Sequence, residues 1–376
     1  MSVAAAVDVL VIGGTGLMGA PTARLLQAKG HRVVVVSRGA AKGGGTHGLR
    51  ADQPEGCQHL ICDRDGGDEG SRSDAFVAML AAATTPRTVI DFTAMNKRHI
   101  EQVLAAHRRS PLLHYIFIST NMVYPGGPED MDVSPLSKGG SVLIDEDAAD
   151  LDSSAALLDT YGGNKLQCEK LLRDAGSLAS SGADSGGSAV RGCEGERGCT
   201  IAHVPLPSTV VRPPSVVGPG CDNRHERLQR LVSAMAPLQP PAKPRKAAAN
   251  PGRFRVACSG DVANVCARIV AKGPTAARPA DAFNVASGGA AGVTIDEYVA
   301  AVAQVLKSRT AEAHPVRVPA DPSVRNYENQ GAVDTSKAEK LLGFKPSPTE
   351  AWMPETVDWH LAGRNPLRNR ESAREH

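Results

Sequence analysis

The stretch TYGGNK, residues 160–165, places a tyrosine and a lysine four residues apart, at Tyr161 and Lys165. On an α-helix this spacing puts both side chains on one face. A tyrosine can exchange a proton with an alcohol or a ketone when its pKa falls from about 10 toward neutrality. A lysine ammonium one helical turn away stabilises the phenolate and therefore lowers that pKa. The pair is a candidate proton relay, although so short a match needs support from the surrounding sequence.

Two hydroxyl side chains end an apolar segment that precedes this pair. In LLHYIFIST the apolar run closes on Ser119 and Thr120. An enzyme that moves a hydride to or from an alcohol carbon must also move a proton, and a hydroxyl donor opposite the tyrosine would orient the reacting oxygen. Thr120 is the candidate for that donor, with Ser119 as its neighbour. The alternative is a threonine that only ends a strand.

Glycines recur at every third position of GGTGLMG, at Gly13, Gly16 and Gly19. The segment follows a predicted strand and opens a predicted helix, which is the context in which such a loop binds a pyrophosphate. Glycines let the backbone approach the phosphates, and the helix N-terminus offers unpaired N–H groups and a partial positive charge. A tight strand–helix turn without a ligand is the alternative. The residues expected to contact a cofactor here are Gly13, Thr15, Gly16, Leu17, Met18 and Gly19.

The residue that ends the second predicted strand discriminates between nicotinamide cofactors. An acidic residue at this position would hold the adenosine ribose hydroxyls and repel a 2′-phosphate. The sequence VVVVSRG instead has Ser37 followed by Arg38. Ser37 removes the repulsion, and Arg38 can pair with a phosphate and stack on adenine. The pattern favours NADP as the cofactor, with NAD as the alternative. If Arg38 has no role in binding, it is a solvated arginine at the end of a strand.

Strands and helices alternate through the first half of the chain. Apolar runs typical of strands buried on both faces occur in VDVLVIG, HRVVVVS, QHLICD, TVIDFTA and LLHYIFIST, and a sixth in STVVR. Helical segments separate them, among them KRHIEQVLAAHRR, which is amphipathic. This alternation predicts an α/β fold with a doubly wound parallel sheet, whose ligands bind at the C-terminal ends of the strands. The glycine loop, Thr120 and Tyr161 would then face one crevice.

The composition is that of a globular protein. Of 376 residues, 41% are hydrophobic and 22% are charged, which is an ordinary balance. The net charge of +2 is too small to argue for a nucleic-acid or membrane partner, and no apolar run approaches the ~20 residues of a membrane span. The eight cysteines lack zinc-ligand spacing, so no metal site is expected. Reduced thiols and a cytoplasmic location are expected, with a Cys193–Cys199 disulfide as the less favoured alternative.

Three segments interrupt the alternation of strands and helices. Residues 125–160 are rich in Pro and Gly and then acidic, residues 176–198 consist largely of Gly, Ser and Ala, and residues 237–252 are rich in Pro and basic residues. The sequence predicts a cofactor-binding domain over 1–175, a flexible insertion over 176–198, and a unit over 199–376 with the last core strands and a substrate-binding region. The acidic IDEDAADLD is expected to form a solvated rim of the substrate mouth. The basic run PAKPRKAAANPGRFR is interpreted as a solvated loop, with an RNA or anionic-substrate contact as the alternative.

Together, these motifs resemble those of the extended short-chain dehydrogenase/reductases, the NAD(P)-dependent sugar epimerase/dehydratase family. The resemblance covers nearly the whole chain outside the three interrupting segments and implies a Rossmann-like fold with a smaller C-terminal substrate-binding region. GGTGLMG resembles the family's phosphate loop, STNMVY its motif after strand five, YGGNKLQCEKLL its Tyr-x-x-x-Lys helix, and VVRPPSVVGPG its Arg-Pro turn. It implies that Thr120, Tyr161 and Lys165 are catalytic, with Ser119 as the neighbour, and that Tyr161 and Lys165 also contact the cofactor.

The resemblance further implies binding roles for residues that no spacing rule singles out. ICDRD resembles the strand end that holds the adenine, and IDFTAM resembles the strand end that lines the cofactor. The family binds substrate phosphates where Arg224 and Arg255 stand here, although solvated arginines are an equal alternative. The implied cofactor-binding residues are Asp63, Arg64, Thr93, Ala94, Met95 and Pro213. The implied substrate-binding residues are Ser215, Arg224 and Arg255.

Departures from the family's pattern narrow the expected activity. Dehydratases of the family carry Asp-Glu after the catalytic threonine, where this chain has Asn121 and Met122, so sugar dehydration is not expected. Cys258 stands where a histidine is common, which sets the substrate site apart from a standard nucleotide-sugar site. Two glycines, Gly162 and Gly163, are expected to soften the first turn of the catalytic helix.

The expected function is an NAD(P)-dependent oxidoreductase or epimerase that transfers a hydride at a hydroxyl or keto carbon of a nucleotide-sugar-like or other small substrate. The alternative, from another class, is a cofactor-binding regulatory or RNA-binding protein without turnover, as in an atypical branch that includes chloroplast stem-loop RNA-binding proteins. The complete set of Thr120, Tyr161 and Lys165 favours the enzyme. The resemblance also implies a homodimer through the Tyr161 helix and the 96–109 helix.

Overall fold

The structure is a computed structural model that describes most of the chain. The described residues are 7–38, 54–65, 71–82, 87–124, 143–153, 159–177, 205–219, 254–274, 280–289, 292–309 and 332–362. Arg224, the basic segment 237–252 and nearly all of the 176–198 insertion lie outside these ranges. The predicted flexibility of the insertion and the predicted phosphate contact of Arg224 therefore stay predictions.

The described residues form strands and helices close to the predicted ones. The strands are β1 (Asp8–Ile12), β2 (Arg32–Ser37), β3 (Gln58–Ile61), β4 (Thr88–Asp91), β5 (His114–Ile118), β6 (Leu143–Ile144), β7 (Ser208–Arg212), β8 (Val216–Val217), β9 (Ala257–Cys258), β10 (Asp281–Asn284) and β11 (Ala332–Val333). The helices are α1 (Gly19–Ala28), α2 (Ser71–Ala81), α3 (Lys97–Arg109), α4 (Tyr161–Ser177), α5 (Ser259–Lys272), α6 (Ile295–Arg309), α7 (Ser336–Leu342) and α8 (Thr349–Leu361).

The central sheet contains seven strands in the spatial order β10-β7-β5-β4-β1-β2-β3. Every pairing within it is parallel. The strand order reverses direction at β1, so β1 and β4 flank the crevice in which such sheets bind ligands. The predicted α/β, Rossmann-like doubly wound fold is therefore confirmed.

Helices cover both faces of this sheet, because its strands carry apolar side chains on both sides. On one face, Val9, Val11 and Val35 pack with residues of α1, α5 and α7. On the other face, Leu10 and Ile12 pack with residues of α2, α3 and α4. The continuous valine and isoleucine runs of the sequence follow directly from this two-sided burial.

The C-terminal part of the chain adds a further apolar cluster and contributes strands to two small sheets. Phe254, Tyr298 and Trp352 lie in a cluster that includes residues of α6 and α8. Strand β8 pairs with β9, and β6 pairs with β11, both in parallel. The start of α6 is capped, since Glu297 N donates to Thr294 Oγ1 and Thr294 N donates to the Glu297 carboxylate, a reciprocal capping box.

Within the described ranges, none of the helices is long and apolar enough to cross a membrane. In the same part of the chain, no group of three or more His, Cys, Asp or Glu residues is arranged to hold a metal ion. The described cysteines are free thiols: Cys57, Cys62, Cys168, Cys258 and Cys266. The alternative disulfide between Cys193 and Cys199 lies outside the described residues.

A buried histidine at the start of β5 predicts a loss of stability in mild acid. His114 is 1% exposed, its Nε2 hydrogen-bonds with Thr209 Oγ1, and burial lowers its pKa to about 4. Because the unfolded chain takes up this proton near pH 6.5 and the folded chain does not, the contribution is full above pH 6.5 and is lost as pH falls toward 4. The loss amounts to at most about 3 kcal/mol.

The measurement is the free energy of unfolding by denaturant at several pH values between 7 and 4.5, for the wild type and for His114→Gln. We expect the variant to lose less stability over this interval than the wild type, because glutamine does not titrate. The pKa values of His31 and His99 are also lowered by burial. The free energy of unfolding of both proteins should therefore still fall somewhat as the pH is lowered. Parallel pH curves would contradict the assignment to His114.

Candidate active site

The glycine loop between β1 and α1 is packed so closely that side chains have no room at its key positions. A Cβ atom at Gly19 would lie 2.2 Å from Gly13 O, and one at Gly13 would lie 2.7 Å from Thr93 Cγ2. Gly13 also has a φ of +79°, a region that disfavours side chains. The loop closes with a hydrogen bond from Gly16 N to Gly13 O. Leu17 and Met18 pack partly against the core, while Thr15 is half-buried.

The end of β2 presents Ser37 and Arg38 beside the glycine loop. Arg38 is exposed, whereas Ser37 is half-buried and its Oγ lies 2.7 Å from His59 Nε2 on β3. Asp63, which follows β3, is half-buried and accepts a hydrogen bond from Asp65 N. The three predicted adenosine-side residues Ser37, Arg38 and Asp63 thus stand at the C-terminal ends of the adjacent strands β2 and β3.

The turn after β4 is held by a buried carboxylate that the sequence analysis did not single out. Asp91 Oδ1 accepts hydrogen bonds from Thr93 N at 2.8 Å and from Ala94 N at 3.0 Å. Its other oxygen accepts from Tyr115 OH and from Arg64 Nη1. Burial alone would raise the pKa of Asp91, but Arg64 and Thr93 hold it below its usual value. The sequence feature that points to Asp91 is an acidic residue at the end of an otherwise apolar strand.

Arg64 is buried in the protein and does not fit the cofactor contact predicted for it. Its guanidinium donates to Asp91, to Gln102 Oε1 and to the backbone oxygen of His99. It also lies 4.3 Å from the centre of the Phe76 ring. These contacts place the Arg64 side chain inside the protein, where it stabilises the carboxylate of Asp91 that holds the turn after β4. The neighbouring Met95, also predicted to contact the cofactor, is 44% exposed.

Lys165 lies in the first turns of α4 with its ammonium group buried at the ends of β4 and β5. The side chain is 2% exposed, and its Nζ donates to Ala94 O at 2.6 Å and to Ile118 O at 2.8 Å. Burial lowers the pKa of Lys165 to about 8. Two carbonyl oxygens therefore fix the position of a positive charge that is removed from water.

The side chains of Thr120 and Tyr161 lie within reach of a hydrogen bond. The Lys165 Nζ lies 5.8 Å from the centre of the Tyr161 ring. Tyr161 is 38% exposed, so its ring borders both protein and solvent. Burial raises the pKa of Tyr161, and the hydrogen bond with Thr120 acts in the opposite direction. A lowered tyrosine pKa, as the sequence analysis expects of a relay, therefore requires additional positive charge.

Ser119 precedes this hydroxyl pair and differs from Thr120 in its surroundings. Its side chain is 3% exposed, and its Oγ has no hydrogen-bond partner among the described residues. Thr120 instead accepts a hydrogen bond from Met122 N and contacts Tyr161. This placement favours Thr120 over Ser119 as the hydroxyl that acts with the tyrosine.

Gly162 permits the close approach of α4 to the segment after β5. A Cβ atom at Gly162 would lie only 2.4 Å from Met122 O. The start of the helix is capped, because Thr160 Oγ1 accepts a hydrogen bond from Gly163 N. The missing side chain at Gly162 therefore lets the helix pack tightly, while the expected softening of the turn by Gly162 and Gly163 stays a prediction.

A buried ion pair anchors the next turn of α4 to the end of β7. Glu169 is 1% exposed, and its carboxylate accepts hydrogen bonds from Arg212 Nε and Nη2. Arg212 also donates to Tyr124 OH and to Glu146 O. Glu146 belongs to the acidic segment, yet it is buried and accepts from Asn284 N. The predicted solvated rim therefore does not hold at Glu146, and this network was not predicted from the sequence.

The predicted substrate-side residues are only partly brought to the crevice. Pro213 is buried directly after β7, where its carbonyl oxygen accepts from Asn121 N, and Ser215 is half-buried. Arg255 is 3% exposed and its Nη1 donates to Val333 O and Thr335 Oγ1. These bonds tie Arg255 to β11 and do not fit the substrate contact predicted for it. Cys258, the residue at the His-like position, caps α5 by accepting from Asp261 N.

Sequence comparison assigns the chain to a family. A profile of the NAD dependent epimerase/dehydratase family matches residues 9–239, which is more than half of the chain. The matched range includes the glycine loop, Thr120, Tyr161 and Lys165. The protein therefore belongs to the NAD dependent epimerase/dehydratase family. No curated protein sequence matches the chain significantly.

Solved structures share the fold at low sequence identity. The UDP-glucose 4-epimerase of Thermus thermophilus, in complex with NAD, has a TM-score of 0.62 and 18% identity, covering 94% of this chain and 99% of that one. The UDP-glucose 4-epimerase of Thermotoga maritima, with UDP-glucose, has a TM-score of 0.61 and 16% identity, covering 95% and 99%. An epimerase from Methanothermobacter thermautotrophicus has a TM-score of 0.63 and 15% identity, covering 97% and 95%. This similarity supports the fold.

The family's nicotinamide cofactor suits the groups at this crevice. The glycine loop is closed to side chains at Gly13 and Gly19 by contacts within the protein, whereas a Cβ at Gly16 would meet only Gly13 O, at 3.3 Å. Backbone can therefore be approached closely at the start of α1, as a pyrophosphate requires. The unpartnered Ser119 Oγ and the charge of Lys165 add a polar group and a cation at the other end.

Substitution of Gly162 tests whether the close approach of α4 is needed. We expect Gly162→Ala to lower the free energy of unfolding by about 1–3 kcal/mol, because the new methyl group collides with Met122 O. The matched control is Gly260→Ala in the first turn of α5, where a Cβ would meet only Cys258 Sγ at 3.9 Å. The control should be neutral or stabilising. Equal stability of the two variants in denaturant unfolding would contradict the packing argument.

Proposed function

We propose that the protein is an NAD(P)-dependent epimerase or dehydrogenase that acts at a hydroxyl or keto carbon of a nucleotide-sugar-like or other small substrate. The observation that carries the proposal is the arrangement of Thr120, Tyr161 and Lys165 at the C-terminal ends of β4 and β5. Membership of the epimerase/dehydratase family and the likeness to UDP-glucose 4-epimerases support it. Asn121 and Met122 in place of an acidic pair argue against dehydration.

In this proposal Tyr161 is the acid/base and Thr120 orients the reacting oxygen. The nicotinamide ring supplies a reversible acceptor and donor of hydride. As the hydride leaves the substrate carbon, Tyr161 in its phenolate form accepts the hydroxyl proton, and a carbonyl group forms. Thr120 donates a hydrogen bond to the same oxygen. If the hydride were returned to the opposite face of the carbonyl carbon, Tyr161 would give the proton back and the net reaction would be an epimerisation. If the hydride were not returned, Tyr161 would release the proton to solvent and the net reaction would be an oxidation.

In this proposal Lys165 and an oxidised nicotinamide together make the phenolate form of Tyr161 accessible. In the free protein, burial raises the pKa of Tyr161, which opposes its use as a base. The Lys165 ammonium and the positive charge of an oxidised nicotinamide both favour the phenolate. Because Lys165 is fixed by Ala94 O and Ile118 O, its charge is already in place before a ligand binds. The third N–H group of the Lys165 ammonium is suited to donate a hydrogen bond to a ribose hydroxyl of the cofactor.

NADP is the proposed cofactor of choice, with NAD as the alternative. The proposal rests on Ser37 and Arg38 at the end of β2, where an acidic residue would exclude a 2′-phosphate. Arg38 is exposed beside the half-buried Ser37, so its guanidinium is accessible to an anion. Two of the structurally similar proteins carry NAD in their solved complexes, which keeps NAD as the alternative.

Removal of the Tyr161 hydroxyl tests the acid/base assignment. We expect Tyr161→Phe to lower turnover by about 100-fold or more, since general acid–base catalysis contributes that much, and to leave the dissociation constant of NADPH or NADH within about twofold. UDP-glucose and UDP-galactose are the first substrates to assay, and NAD(P)H fluorescence reports cofactor binding. Unchanged turnover of any accepted substrate would remove Tyr161 from the mechanism.

The pKa of Lys165 predicts how cofactor affinity depends on pH. Since this pKa is lowered to about 8, Lys165 is charged below pH 8 and becomes neutral as pH rises through that value. We expect the affinity for NAD(P)H, measured by fluorescence titration, to fall above about pH 8. Lys165→Arg, which stays protonated, should lose this alkaline limb. An affinity that is flat from pH 7 to 10 in the wild type would contradict the role of Lys165.

Substitution of Arg38 tests the cofactor preference. The wild type should bind NADPH more tightly than NADH, and Arg38→Ala should weaken NADPH binding about tenfold, the worth of one charge-assisted contact to phosphate, with little effect on NADH. Arg32→Ala is a matched control, because Arg32 is an exposed arginine at the other end of β2 that pairs with Asp8. Equal affinities for both cofactors, unchanged in Arg38→Ala, would contradict the proposed preference for NADP.

A further inference from the structure

The carboxylate of Asp91 is completely buried and accepts five hydrogen bonds, although the proposed chemistry does not use it. Oδ1 accepts from Thr93 N, Thr93 Oγ1 and Ala94 N at 2.8, 3.0 and 3.0 Å. Oδ2 accepts from Arg64 Nη1 at 2.8 Å and from Tyr115 OH at 3.0 Å. Oδ1 therefore holds the turn after β4. Oδ2 accepts hydrogen bonds from Arg64 and Tyr115, and the guanidinium of Arg64 balances the negative charge of the carboxylate.

The turn that Asp91 holds touches both ends of the cofactor site. The carbonyl of Ala94 accepts the hydrogen bond from Lys165 Nζ at 2.6 Å. At the other end, Thr93 Cγ2 lies against the phosphate loop, 2.7 Å from the position that a Cβ at Gly13 would take. Movement of this turn would thus displace the ammonium group and open the packing beside the phosphate loop.

We propose that Asp91 is a positioning residue of the cofactor site. It fixes the Thr93–Ala94 turn so that the Ala94 carbonyl holds the Lys165 ammonium and Thr93 packs against the glycine loop. Asp91 acts through these residues and does not touch the reacting atoms. This inference rests on the proposed function, because it needs a nicotinamide cofactor that is bound by Lys165.

The carboxylate has a second effect on Lys165, through its charge. Burial lowers the pKa of Lys165, and the negative charge of Asp91 counteracts part of this effect. The other charged or titratable groups near Lys165 are Cys168 and Glu169 on α4, Arg64 after β3, and Tyr161 one turn earlier on α4. Loss of the Asp91 charge alone should therefore make Lys165 release its proton at a lower pH, because Arg64 would remain.

The test compares Asp91→Asn with Tyr115→Phe in titrations of the full-length protein with NADPH and NADH between pH 6.5 and 10. An amide has one acceptor oxygen and one donor nitrogen. The Asp91→Asn side chain would therefore place a hydrogen-bond donor opposite the donors of either the turn or Arg64. Tyr115→Phe removes one hydrogen bond to Asp91 but leaves Oδ1 and the charge in place. Thermal unfolding of both variants measures any general loss of stability.

For Asp91→Asn we expect about a tenfold or larger increase in the dissociation constant at pH 7 and an alkaline limb displaced downward by about one pH unit. Tyr115→Phe should keep the affinity within about twofold and the limb unchanged. If Asp91→Asn binds with the wild-type affinity and the same limb, the inference is wrong while the proposed function stands. If the wild type binds neither cofactor, both fail.

A second measurement does not depend on a variant that folds. Hydrogen–deuterium exchange of the wild type should show the Thr93 and Ala94 amides protected in the absence of cofactor, because both already donate to Asp91. Addition of NADPH should change their exchange little. Rapid exchange in the free protein, with protection only after NADPH is added, would show that Asp91 does not fix the turn and would overturn the inference.

Discussion

The arrangement of the site depends on one buried ammonium group. Lys165 is 2% exposed, and its charge is stabilised by the carbonyl oxygens of Ala94 and Ile118. A charge taken out of water is costly unless its hydrogen bonds are made, so the ends of β4 and β5 and the start of α4 must keep their relative positions. The tyrosine one turn earlier on α4 is thereby brought to the end of β5, where it meets Thr120.

Three consecutive contacts of α4 enforce this placement. Gly162 lets the helix approach Met122 O, Lys165 reaches the sheet, and Glu169 forms a buried ion pair with Arg212 at the end of β7. The contacts fall at intervals of three and four residues, so they share one face of the helix. Removing one partner of a buried ion pair such as Glu169–Arg212 is strongly destabilising. Helix α4 is thus held along its first three turns by Gly162 and Glu169 as well as by Lys165, the residue proposed to bind the cofactor.

The features that local rules govern are predictable from the sequence. The parallel sheet follows from the alternation of apolar strands with helices, the glycine loop from its context, and the Thr294 cap from its position before α6. The features that depend on partners distant in sequence are not. Sequence alone favours ligand-facing or solvated roles for Arg64, Arg255 and Glu146, because polar residues are mostly exposed. Contacts with Asp91, Val333 and Asn284 bury them instead. The close packing of Gly162 against Met122 is not predictable for the same reason, since Met122 belongs to another element.

In the proposed reaction, the charges placed around Tyr161 make it the base of a nicotinamide-dependent hydride transfer. The direct measurement is an ultraviolet difference titration of tyrosine ionisation, with and without saturating NADP⁺ or NAD⁺, on the wild type and on Tyr161→Phe. We expect one tyrosine, absent in the variant, to have a pKa above its usual value in the free protein and a lower pKa when the oxidised cofactor is bound. An ionisation of Tyr161 that the cofactor does not change would contradict it.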